Sequence, residues 1–136
     1  MAHNQPPQRI DPVLEALSAR ARAVPARIVL PEGDDPRIRD AAKQAAASGL
    51  CTPVLVVDDP VALDSEADGI ERRHPASDPT LPELTEALAI RLGEIGLADR
   101  LDLGAVALDP LHYAALCVAT GKADAMVAGA RATTTD

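Results

Sequence analysis

Phenylalanine and tryptophan are absent from this chain of 136 residues, and tyrosine occurs once, at Tyr113. Without large rings the core must be built from Ala, Leu, Val and Ile, which requires close approach of neighbouring elements. The same absence removes the stacking platforms on which single-stranded nucleic acid is bound. Basic residues are outnumbered, 13 Lys and Arg against 21 Asp and Glu, giving a formal charge of −8. Phosphate-backbone binding draws its affinity from Lys and Arg, so nucleic acid is not an expected partner. Any anionic ligand must instead be met by local donors. Cysteine is scarce as well: Cys51 and Cys117 lie far apart and fit neither a zinc nor a redox spacing, so both read as reduced residues in or near the core. No uninterrupted apolar run approaches the ~18 residues that would mark a membrane helix. The first residues, MAHNQPPQRIDP, also lack the apolar segment of a signal peptide. A cytoplasmic location with no membrane partner is expected.

What is present is an ordinary globular composition, 47% apolar and 25% charged, for one domain or one piece of a larger fold. Residues 1–25 read as a polar tail followed by a short helix, capped by Asp11 with Pro12 at its first position and ended by Pro25. Ala26 to Leu30 is a compact β-rich run. After the turn Pro31-Glu32-Gly33, Asp34 or Asp35 caps a helix whose face is Ile38, Ala41, Ala42, Ala45 and Ala46, closed by Gly49. Thr52 to Val57 supplies the next strand, completing a β-α-β unit of parallel type.

Residues 58–82 predict loops with one weak strand, and include the charged run Glu71-Arg72-Arg73-His74. Glu83 to Ile95 is helical in outline with a break at Gly93, whereas Leu101 to Leu108 fits a short strand or a short helix. Asp109-Pro110 starts a helix with Leu111, Ala114, Ala115, Val118 and Ala119 on one face. Gly121 stops it, and Ala125 to Ala128 reads as a buried parallel strand. The fold class is therefore α/β, a layered, mostly parallel sheet with flanking helices and ligands at the carboxyl ends of its strands.

Two loops fall at such ends. In the second, Gly129 permits close backbone approach, while Thr133, Thr134 and Thr135 offer hydroxyls and N–H groups to an anion; the plain alternative is a Thr helix cap. Arg131 adds a guanidinium suited to a phosphoryl or carboxylate group, and Arg91 is a further candidate on a Leu- and Ile-rich segment. In the first loop, Glu32, Asp34 and Asp35 read as the acidic complement of a helix dipole rather than as metal ligands or bases. His112 has no partner that the sequence identifies, so no nucleophile and base pair is assigned, and neither a Walker loop nor a dinucleotide fingerprint occurs.

Three segments together resemble the phosphate acetyltransferase and phosphate butyryltransferase family: RIVLPEGDDPRIRDAAKQAAASGLCTPVLV at 27–56, DPLHYAALCVATGKADAMVAGA at 109–130, and RATTTD at 131–136. The resemblance covers most of the chain from Arg27 onward and concerns the N-terminal part of the enzyme. It implies that residues 26–136 form a partial version of a two-domain acyltransferase fold. It also implies reversible transfer of an acyl group between coenzyme A and phosphate, with no permanently bound cofactor and no metal in the chemical step. Coenzyme A is then a substrate. By the same resemblance Thr133 and Thr134 match the family's hydroxyl pair, and Asp136 its following acid. Arg91 falls near a family arginine, although the basic neighbours of that segment are here Leu92, Gly93, Glu94 and Ile95. The implied substrate-binding set is Thr133, Thr134, Arg91, Gly129 and Arg131, with the catalytic residues unassigned. The implied partners are acetyl-CoA and phosphate, together with a homodimer mate or a C-terminal half acting in trans. The other reading is a non-catalytic regulatory module that binds acetyl-CoA or acetyl phosphate.

Overall fold

A computed structural model describes residues 11–63 and 68–131. Four strands, β1 (Ala26–Leu30), β2 (Cys51–Val56), β3 (Glu71–Arg73) and β4 (Ala125–Met126), form one sheet in the order β3-β2-β1-β4. All pairings are parallel; Val29 of β1 faces Val54 on one side and Met126 on the other. Helix α2 (Pro36–Ala47) connects β1 to β2. It starts where expected because Pro36 presets the first turn and the Asp35 carboxylate accepts from Arg37 N at 2.9 Å, which makes Asp35 rather than Asp34 the cap.

Side chains alternate across β2 and so divide the core in two. Val54 and Val56 pack with Val29 under α3 (Leu81–Glu94), α4 (Leu103–Leu108) and α5 (Pro110–Ala119), where Leu84, Ala107, Tyr113 and Ala114 are buried. Leu55 and Val57 face the opposite layer and meet Ala42 and Ile38 of α2. The result is a sheet with three helices on one face and one on the other, as the fold class requires. Helix α1 (Pro12–Ala23) has no buried residue, and Val13, Leu14 and Leu17 are all more than half exposed.

Several boundaries differ from the sequence expectation. Helix α3 begins at Leu81 and continues through Gly93, since that glycine leaves its backbone bonds intact. Leu103–Leu108 is helical, with the Asp102 carboxylate accepting from Ala105 N. β4 is shorter than expected and half-buried: as an edge strand it pairs only at Ala125 and Met126, and Val127 is exposed. In α5 the buried residues are Tyr113, Ala114, Leu116 and Cys117, so of the expected face Ala114 is buried while Leu111, Ala115 and Ala119 are exposed.

The lone ring explains that rotation. The Tyr113 hydroxyl donates to Asp78 Oδ2, and Arg73 reaches the same oxygen at 3.3 Å. Arg73 also donates to Glu71, which takes two bonds of 2.7 and 2.8 Å from Arg27. Burial alone would raise the carboxyl pKa values of Asp78 and Glu71. The Tyr113 and Thr80 donors overcome this at Asp78, and Arg73 with Arg27 does so at Glu71, leaving both below their ordinary range. The charged run of β3 is thus an ion-paired strand: Glu71 and Arg73 serve this network while Arg72, on alternate phase, pairs with Asp68.

Candidate functional site

β1 and β4 are adjacent and parallel, so the loops that follow them emerge together at one edge of the sheet. Glu32, Gly33, Asp34 and Asp35 of the first loop each have a contact that fixes them. Gly33 N donates to Val56 O at 2.9 Å, and an added Cβ there would overlap that oxygen and lie 3.0 Å from Leu55 Cβ. Asp34 accepts from Asp58 N at 2.8 Å, tying the loop to the end of β2. Asp35 is buried, caps α2, and holds the Arg37 guanidinium through two bonds of 2.7 and 3.1 Å. Those Arg37 bonds, with Arg131 nearby, keep its carboxyl pKa far below the usual range.

Glu32 crosses to the second loop. Its Oε2 accepts from Gly129 N at 3.1 Å and Ala130 N at 2.9 Å, and its Oε1 accepts from Arg131 N at 2.6 Å. Gly129 takes φ 110, a backbone conformation that a side chain disfavours, and three successive N–H groups converge on one carboxylate. Arg37 Nη2 donates to Ala130 O at 3.2 Å, while Arg131 Nε lies 3.6 Å from Asp35. The acidic loop therefore has the structural role expected of it, but through long-range contacts as well as the helix dipole.

A cleft of about 190 Å³ lies beside this junction, bounded by Glu32, Asp34, Asp58, Asp109 and Arg131. Its described lining is strongly acidic, so an anion there needs further donors. Gly129 and Arg131 share the loop whose N–H groups donate to Glu32. Arg91 is not brought to them: it is exposed on α3 beside a separate groove of about 310 Å³ between α3 and α5. Thr133, Thr134, Thr135 and Asp136 lie outside the described residues.

Sequence reasoning missed two features. Glu32 gives no local signal of a contact 97 positions away. His112 does have a partner, because Asp109 Oδ2 lies 2.6 Å from its Nδ1 and also accepts from its backbone N–H. The signal was the three-residue spacing of Asp109 and His112 across a helix cap, analogous to a capping box. Neither thiol is poised to react, since burial raises the pKa of both Cys51 and Cys117.

The sequence matches the phosphate acetyl/butaryl transferase family over residues 12–136, and the chain belongs to that family. It is 36% identical over 123 residues to a phosphate acetyltransferase of Paracoccus denitrificans, covering 90% of this chain and 36% of that protein. A phosphate acetyltransferase of Corynebacterium glutamicum is 34% identical over 126 residues, with 87% and 37% covered. The EutD phosphotransacetylase from Staphylococcus aureus superimposes with a TM-score of 0.69 at 28% identity, over 91% of this chain and 39% of that one. A phosphotransacetylase from Streptococcus pyogenes shares the fold, with a TM-score of 0.74 at 24% identity over 90% and 38%. The chain thus spans little more than a third of the length of the relatives it matches.

Proposed function

We propose that this chain is the N-terminal portion of a phosphate acyltransferase and contributes the phosphate side of an acyl-transfer site. The supporting observation is the fastening of the loop 129–131 at the carboxyl edge of the sheet, in a chain that belongs to the acyltransferase family. In the reaction, an oxygen of phosphate attacks the thioester carbonyl of acetyl-CoA. A C–O bond forms, the C–S bond breaks, and the departing sulfur takes a proton to give free coenzyme A. Coenzyme A is a substrate here, not a resident cofactor.

Within this reading residues 1–25 are an appendage and 26–136 the working portion. Thr133, Thr134 and Arg131 hold the phosphoryl oxygens and Gly129 lets the backbone approach them. The base and oxyanion donors come from the rest of the enzyme, provided in trans, and a homodimer in the cytoplasm is its setting. Titration of the chain with acetyl phosphate in a calorimeter tests this. Saturable heat that weakens at least tenfold in Thr133→Ala and Thr134→Ala supports it, and the absence of binding contradicts it.

A further inference from the structure

Helix α1 is well capped but stands almost free. Its 12 residues are marginal as an isolated helix, and helices of that length are held by the apolar face they bury. α1 buries no residue. Ser18 and Ala21 are half-buried and Arg22 donates to Ser48 O at the end of α2, which fixes the side turned to the body. On the other side Val13 and Leu17, one turn apart, are more than half exposed, with Val24 exposed beyond them and Arg20 on their border, three residues after Leu17. A second uncovered apolar surface is the groove of about 310 Å³ between α3 and α5. Leu88, Ile90, Leu116 and Ala119 supply its apolar lining, and Arg91 and Glu94 its charges.

We propose that these two surfaces are partners between copies: α1 of one molecule lies in the α3–α5 groove of a second, and the exchange is reciprocal across a two-fold axis. A molecule does not fill its own groove, because α1 is bonded to the end of α2, in the layer on one face of the sheet, while α3 and α5 cover the other. The two surfaces nonetheless lie toward the same end of the sheet. α1 runs directly into β1, and the turn that follows Ala119 returns to the start of β1 through Asp124 N to Arg27 O at 2.9 Å. Two copies that meet at this end can each offer a helix to the other and leave the loops at the carboxyl ends open. Charge favours this pairing over others. At a formal charge of −8 two copies repel, whereas α1 sets Arg20 and Arg22 against Glu15 and is locally cationic. Arg20 beside the stripe and Glu94 in the groove are both without an ion pair among the described residues. Glu94 follows Ile90 by about one turn, as Arg20 follows Leu17, so each apolar surface carries one charge of opposite sign at its border. The interface does not depend on the acyl-transfer reading.

The test is sedimentation equilibrium of the full chain from about 10 μM to about 1 mM, the range of small, weak interfaces. A monomer–dimer equilibrium is expected, with the monomer prevailing at the low end. Leu17→Ser and Ile90→Ser alter exposed side chains, so circular dichroism should show an intact fold, and each should weaken the dimer about tenfold or more. Arg20→Glu should weaken it about threefold, and adding Glu94→Arg in the same chain should restore it. A chain that stays monomeric at about 1 mM overturns the proposal. So does a dimer indifferent to Leu17→Ser or to Ile90→Ser, which places the contact elsewhere, and so does a double variant no tighter than Arg20→Glu. The rival occupant is the rest of the enzyme. If a polypeptide supplying the remainder of a family member dissociates the dimer and binds the Ile90→Ser chain less well, the groove belongs to that segment and not to a second copy.

Discussion

Gly33 is the residue with the least room for change. Its backbone is bonded to Val56 O in a space that admits no Cβ, so Gly33→Ala must push the loop away from β2. A loss of about 2–3 kcal/mol is expected, read from the urea midpoint. Tyr113 is fixed for a different reason, as its ring fills the core and its hydroxyl serves a nearly buried carboxylate. Tyr113→Phe keeps the packing and removes one donor from Asp78, which retains Thr80 and Arg73. It should cost about 1–3 kcal/mol by the same measurement. Neither constraint was fully legible in the sequence. A glycine between Glu and Asp announces a turn, but the oxygen it must clear belongs to a strand more than twenty residues later. The single tyrosine was visible, and its partner was not, because Asp78 lies in a stretch without periodicity.

Among the elements, the starts of α1, α2 and α5 were read best, since each rests on a local pair, Asp11-Pro12, Asp35-Pro36 or Asp109-Pro110. Removing the last of these caps by Asp109→Ala takes away the acceptor of His112 N and should lower stability by about 1 kcal/mol. Helix faces were read less well. α5 carries apolar residues on most of its circumference, so spacing alone could not select the face that the Tyr113–Asp78 bond turns inward. β4 was misjudged because an apolar run reads the same at the edge of a sheet as at its centre. Helix α1 obeys its caps yet buries nothing, and Arg22 Nε to Ser48 O, at 2.9 Å, is an exposed contact. Deleting residues 1–24 should therefore shift the unfolding free energy by less than about 0.5 kcal/mol in chemical denaturation.

Across the whole molecule, acid sensitivity follows from the carboxylates held low by their partners: Asp35, Glu71, Asp78 and Asp109. Unfolded carboxyl groups take up protons near pH 4, before these folded ones do. Their stabilisation is thus complete above that pH and is lost as pH falls through the lower folded values. Thermal unfolding followed by circular dichroism should show a steady midpoint down to about pH 5 and a falling one below about pH 4. Asp78→Asn should flatten that fall. At the other extreme, burial raises the Tyr113 and Cys117 pKa values. Stability should decline once the unfolded thiol and phenol ionise, above about pH 8.5 and 10 respectively.

At this scale the parallel layered architecture and the family were legible from strand and helix alternation and from three motifs. The meeting of the two sheet-end loops was legible only as a shared edge, because the Glu32 contacts that join them depend on the completed β1-β4 pairing. The role proposed for them in acyl transfer is tested most directly by following thiol release from acetyl-CoA in phosphate. The chain would be assayed alone and mixed with a polypeptide supplying the remainder of a family member such as the Paracoccus denitrificans enzyme. The account predicts turnover in the mixture and none from the chain alone. Turnover by the chain alone would contradict the assignment of the base to the remainder, and a silent mixture would contradict the acyltransferase reading itself.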